Sequence, residues 1–209
     1  MRQNETYRLP PPGVAPPALV VGKSVTLRHV SCGFSEEEIE QRYRWGLDED
    51  LQYWSGSIPT ATSLAAFRAD VLRARHTREP RRDSFAILDD RGWLVGMVSY
   101  YNIVEERGQA ELGIYIGERS VWSRGYGSAA ITTLLGYLFR HTNLQVMYLS
   151  TYSTNERAQA CYRKCGFQVT GTMRKYSSRA GYYTDLQMKA RRADFLALFP
   201  QCPHISATP

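Results

Sequence analysis

The segment Trp122-Ser123-Arg124-Gly125-Tyr126-Gly127-Ser128-Ala129-Ala130 sets two glycines where a loop turns into a helix. Glycine lets backbone approach an anion closely, and the free amides of a helix's first turn present partial positive charge to it. The segment is therefore a candidate phosphate cradle. Three readings compete: the diphosphate of a dinucleotide, the diphosphate of coenzyme A, or a bare helix start. Gly125-x-Gly127-x-x-Ala130 meets part of the dinucleotide fingerprint, but that site also wants an acid about 20 residues further on to hold a ribose. Between Glu118 and Glu156 the chain has no Asp or Glu, and it carries Arg119, Arg124, Arg140 and His141 instead. Cations without a ribose anchor suit a ligand with several phosphates, so coenzyme A fits better.

Other reactive side chains say less alone. Tyr162 shares a helical face with Ala158, Cys161 and Cys165, a spacing that by itself reads as core packing. Four cysteines make no disulfide framework in a chain of 209 residues, and reduced thiols are expected. His29, His76, His141 and His204 are scattered, so no metal site is expected. Five arginines between Arg73 and Arg82 read as a solvated loop and not as a nucleic-acid patch.

Elements must position that loop. Residues 1–22 read as a Pro-rich, irregular arm, 23–198 as one domain and 199–209 as a tail. Val25 and Leu27 alternate with polar neighbours as a half-buried strand, and Ser35 followed by Glu36, Glu37 and Glu38 opens a helix with a capping box. A helix is expected over 63–75. Strands over 84–88, 93–103 and 109–116, joined by short polar turns, form an antiparallel meander. Ala130, Ile131, Leu134, Leu135 and Leu138 mark the face of a helix, 146–150 is a short buried strand, and a second helix carrying Tyr162 stops at Gly166. A hairpin over 167–172 and 182–188 and a helix over 191–198 close the chain.

Three runs carry a family resemblance. They are Ala110-Glu111-Leu112-Gly113-Ile114-Tyr115-Ile116-Gly117, Trp122 through Gly127, and Asn155-Glu156-Arg157-Ala158 through Tyr162-Arg163-Lys164-Cys165-Gly166-Phe167. In that order and spacing they resemble the GNAT superfamily of N-acetyltransferases, and within it the branch of ribosomal-protein N-terminal and spermidine acetyltransferases. Trp122 departs from the broad pattern, where Gln or Arg commonly opens the pyrophosphate loop. The resemblance implies an α/β (α+β) fold: a central, mainly antiparallel twisted sheet with flanking helices, whose fourth and fifth strands, here 109–116 and 146–150, splay apart. It implies acetyl-CoA as cosubstrate, with Ile114, Tyr115 and Ile116 pairing to pantetheine in the gap. Arg124, Gly125, Tyr126, Gly127, Ser128 and Ala129 would then donate amides to the pyrophosphate, and Asn155 would meet the pantetheine arm.

Tyr162 matches the family tyrosine that protonates the departing thiolate. Glu111 is the candidate general base; its competing reading is a cross-strand ion pair. Asp48, Glu49 and Asp50 stand where similar enzymes shape the acceptor cleft, and they read either as acids for a basic acceptor or as helix caps in a solvated loop. The implied reaction is acetyl transfer to a protein N-terminus, a polyamine or an aminoglycoside-like amine by direct attack in a ternary complex. The competing reading is a non-catalytic acyl-CoA-binding regulatory module. The resemblance also allows a homodimer, which the residues themselves do not encode.

A net charge of +6 favours anionic partners without locating a site. No apolar run approaches the ~18 residues of a spanning helix, and prolines at 10, 11, 12, 16 and 17 interrupt any leader, so the expected address is cytoplasmic with no membrane partner.

Overall fold

In the computed structural model, which describes residues 17–55, 63–76, 82–177 and 181–200, one sheet runs through the molecule. Its strands are β1 (Leu19–Val21), β2 (Thr26–His29), β3 (Arg82–Leu88), β4 (Leu94–Val104), β5 (Gln109–Ile116), β6 (Val146–Tyr152), β7 (Gln168–Ser177) and β8 (Gly181–Arg191). They lie in the order β1-β2-β3-β4-β5-β6-β8-β7. Six helices flank it among the described residues: α1 (Glu36–Leu47), α2 (Glu49–Ser55), α3 (Leu64–His76), α4 (Tyr126–His141), α5 (Glu156–Lys164) and α6 (Arg192–Leu198).

Neighbouring strands are antiparallel except β5 and β6. That parallel pair needs a crossover, and α4 supplies it. Only Gln109, Ala110 and Glu111 pair with Val146, Met147 and Tyr148. Past Glu111 the two strands diverge, and the β5 edge from Leu112 to Ile116 loses its partner on that side. This is the expected splay, displaced by one in the strand count because of β1.

Two apolar layers hold the gap open. On one face Ile131, Leu134, Leu135 and Leu138 of α4 are fully buried against Leu27, Val98, Leu112 and Met147. On the other, Trp45 and Leu51 cover Ala86, Leu88, Leu94 and Met97. Burying both faces explains the near-continuous apolar runs of β3 and β4. The capping box of α1 forms as expected: the Ser35 hydroxyl accepts from the Glu38 amide, and the Glu38 carboxylate accepts from the Ser35 amide.

Three expectations need correction. The stretch read as an irregular arm contains β1, which pairs Leu19, Val20 and Val21 with Arg28, Leu27 and Thr26. Asp48-Glu49-Asp50 is no loop; it opens α2, with Asp48 accepting from the Leu51 amide. Arg73 belongs to α3 and pairs with Asp70 at 3.0 Å, while 77–81 of the supposed arginine loop fall outside the described residues. The closing hairpin forms, with β7 running on to Ser177 and β8 extending from Gly181 to Arg191.

Candidate active site

A cleft of about 340 Å³ opens where β5 leaves β6, walled by the ends of α2, α4 and α5. It gathers Ile114, Tyr115, Ile116, Gly125, Tyr126, Gly127, Ser128, Asn155 and Tyr162 into one lining. Arg124, Ala129 and Glu111 are not part of that wall.

The α4 entrance explains itself from its backbone. Ser123 has φ 61° and Gly125 φ 90°, so the chain reverses sharply before the helix begins. Gly125 is the N-cap and no side chain caps α4, which leaves the amides of Tyr126, Gly127 and Ser128 without partners inside the helix. A side chain at Gly127 would stand 3.5 Å from Cys161 Sγ and 3.8 Å from Ile116 Cγ1, so the space over these amides is open because glycine is there. The set of amides expected to face an anion narrows at both ends. The Arg124 amide donates to Val121 at 3.3 Å, and the Ala129 amide donates to Gly125 at 2.9 Å.

Trp122 fastens the loop to the sheet. Its indole Nε1 donates to the Ile116 carbonyl at 2.8 Å, so that carbonyl is already engaged and the free strand edge lies before it. The Arg157 guanidinium lies 3.7 Å from the centre of the Trp122 ring and Arg119 5.2 Å from it. Burial and the charge of Arg119 lower the Arg157 pKa. A cation held on an aromatic face adds positive charge beside the uncapped amides of α4 and suits this mouth to an anion. Its sequence signal was only its place within the Asn155 motif.

Asn155 caps α5, its side-chain oxygen accepting from the Ala158 amide at 3.2 Å. Tyr162 is 9% exposed, and burial pushes its phenol far above the ordinary value, so at neutral pH it holds its proton. Cys165 is fully buried, as core packing requires, but Cys161 lines the cleft with Sγ 3.3 Å from the Ser128 hydroxyl. A hydrogen bond from Cys165 draws the Cys161 thiol down to about 7, with Ser128 contributing in the same direction.

Glu111 stands at the last paired position, in register with Tyr101 on β4 and Tyr148 on β6. It belongs to none of the ion pairs among the described residues, so its competing reading as a cross-strand pair does not hold. Tyr101 crosses Gly113, where a Cβ would meet its ring at 3.1 Å, and burial followed by the charge of Glu111 raises its pKa. Two of the three acids at the start of α2 are engaged elsewhere: Arg119 holds Asp48 at 2.6 Å and Asp50 at 2.8 Å. That contact lowers the Asp48 pKa. Among the described residues no three His, Cys, Asp or Glu side chains cluster as metal ligands, and no helix is long and apolar enough to cross a membrane.

Comparison with known proteins agrees with this geometry. The Acetyltransferase (GNAT) domain family matches residues 27–168, more than half of the chain. The uncharacterized N-acetyltransferase p20 of Bacillus licheniformis is 27% identical over 146 residues, covering 66% of this chain and 82% of its own length. The uncharacterized N-acetyltransferase YoaA of Bacillus subtilis is 25% identical over 148 residues, 71% of this chain and 77% of its own. Among solved structures, the spermidine N-acetyltransferase of Vibrio cholerae in complex with CoA and spermine superposes with TM-score 0.69 at 20% identity, over 82% of this chain and 98% of that one. A GCN5-related N-acetyltransferase from Brucella melitensis gives TM-score 0.72 at 19% identity, over 94% and 87%. A parted sheet, an uncapped helix start in the gap and this match along the chain have one reading: the protein belongs to the GNAT acetyltransferase family and is an acyltransferase enzyme.

Proposed function

We propose that this enzyme moves an acetyl group from acetyl-CoA to a primary amine by direct attack in a ternary complex. The observation that carries the reading is the uncapped trio of amides at Tyr126, Gly127 and Ser128 opening into the same cleft as Tyr162. Acetyl-CoA would supply a thioester whose carbonyl carbon accepts the amine nitrogen while the carbon–sulfur bond breaks. The trio would hold the diphosphate with Arg157 beside it, and the open β5 edge through Tyr115 would pair with the pantetheine amides. An incoming ammonium near pKa ~10.4 must lose a proton before attack, and Glu111, free of ion pairs, would take it through water. Tyr162, protonated at neutral pH, would give its proton to the departing sulfur. Free thiols at Cys161 and Cys165 support a reducing, cytoplasmic setting.

Thiol release from acetyl-CoA with a panel of amines and short peptides tests the reading. Tyr162→Phe should lower kcat by about 10²-fold with acetyl-CoA affinity unchanged. Equal turnover by the variant removes Tyr162 from the role, and tight acetyl-CoA binding with no transfer to any acceptor favours a binding module.

A further inference from the structure

Where β5 and β6 part, the sheet face opposite α4 carries a ladder of aromatic rings. Tyr53 and Tyr152 stack with centroids 5.3 Å apart and planes 5° apart. Trp54 meets them edge-on at 4.9 and 6.0 Å, and Tyr183 leans on Tyr152 at 4.5 Å. All four rings are half-buried. Tyr53, Tyr152 and Tyr183 border a second cavity of about 420 Å³, while Trp54 lines the cofactor cleft, so the indole stands between the two spaces. Tyr152 lies four residues beyond Tyr148, the last β6 position paired with β5, so the ladder stands on β6 past the point of parting.

Charge decides what this cavity suits. Among the described residues no carboxylate lines it, and Arg174 does. Asp185, in register with Tyr152, is 3% exposed and held by Lys175 at 2.6 Å. Asp48 and Asp50 are held by Arg119. Of the described acids on the sheet strands at this face, Glu111 is in no ion pair, and it lies within the field of Lys175. A polyamine or aminoglycoside brings several ammonium groups of pKa ~10.4, each needing a counter-charge when it leaves water. Such a ligand finds no carboxylate in the described lining of this cavity, and the net charge of +6 repels it from a distance. A flat, apolar body finds a ready wall of rings.

We infer that the acceptor is a primary amine with a single positive charge on an aromatic body, an arylalkylamine, whose ring packs on the Tyr53–Tyr152–Tyr183 ladder while its amine enters the gap between β5 and β6. This rests on the acetyl-transfer reading above, and the chemistry is unchanged. The ammonium gives one proton through Glu111 to solvent, and the amine nitrogen bonds to the acetyl carbon as the carbon–sulfur bond breaks. Coenzyme A leaves as the thiol with a proton from Tyr162 that the second nitrogen proton replaces.

The test measures acetyl-CoA-dependent kcat/KM of the full chain with phenethylamine, butylamine and spermidine. Phenethylamine should exceed each of the others by about tenfold or more. Tyr183→Ala should raise the phenethylamine KM by about tenfold and leave the acetyl-CoA KM unchanged, with Tyr183→Phe near wild type. Should Tyr183→Ala fail to fold, Tyr53→Leu makes the same prediction from the other end of the ladder. Spermidine used as well as phenethylamine overturns the inference, as does a Tyr183 effect equal for all three amines. Calorimetric binding of acetyl-CoA with no transfer to phenethylamine overturns the inference and leaves the cofactor reading standing; absent acetyl-CoA binding overturns both.

Discussion

The thiol of Cys161 and the proposed diphosphate cradle compete for one place. Cys161 Sγ lies against Ser128 and is the nearest atom to where a Gly127 side chain would be, so an adduct on it fills the space over the helix amides. Its pKa, drawn to about 7 by Cys165, makes thiolate available near neutrality, whereas Cys165 is buried and pushed up. Iodoacetamide should modify Cys161 in preference to Cys165, with a rate rising through pH of about 7 instead of the ~8.5 of a free thiol. Acetyl-CoA should protect it. Peptide mapping checks this, and protection by neither acetyl-CoA nor CoA would go against it. Spacing alone put both cysteines on a core face; that Cys161 faces the cleft depends on how α5 rolls against α4, which no local pattern encodes. Tyr162 and the Gly125–Gly127 pair were legible because their motif is local, while the stacking of Arg157 on Trp122 arises only when two distant segments meet.

Helix α2 was invisible in the sequence for a physical reason. Its 7 residues show no amphipathic repeat, and acids that cap a helix look the same as acids in a loop. It matters because Arg119 ties its first turn to the loop before α4, bridging Asp48 and Asp50 and leaning on Trp122. The pair is exposed, so it positions more than it stabilises. Arg119→Ala should leave the melting temperature nearly unchanged and raise the acetyl-CoA KM about threefold, the difference shrinking in high salt. A large drop in melting temperature with no change in KM would contradict that role. The meander of β3 to β5 was legible because apolar runs and Gly-bearing turns alternate there. Strand β1 spans 3 residues behind prolines, and the exposed β7 carries no apolar alternation to mark its ends.

At the scale of the whole molecule, burial of phenols sets an alkaline limit. Burial raises the pKa of Tyr162, Tyr115 and Tyr101, and lifts Tyr137 to about 12. Unfolded tyrosine ionises near ~10, so each folded phenol holds its proton more tightly than the unfolded chain does. That stabilisation is complete below pH ~10 and is lost as pH climbs toward the folded values. Melting temperature should stay level up to about pH 10 and then fall steeply, with tyrosinate absorbance rising together with loss of the far-ultraviolet signal. Full ionisation of a still-folded chain would contradict the burial of these rings. The account as a whole depends on the open turn at Gly127. The most direct measurement is calorimetric titration of acetyl-CoA into the wild-type chain and into Gly127→Val, whose Cβ meets Cys161 and Ile116 at ordinary contact distance and whose branch is introduced to cover the amides. Saturable binding to the wild type, weakened about tenfold or more in a variant that melts at nearly the same temperature, is the predicted result. No saturable heat with the wild type, or equal affinity in the variant, would contradict it.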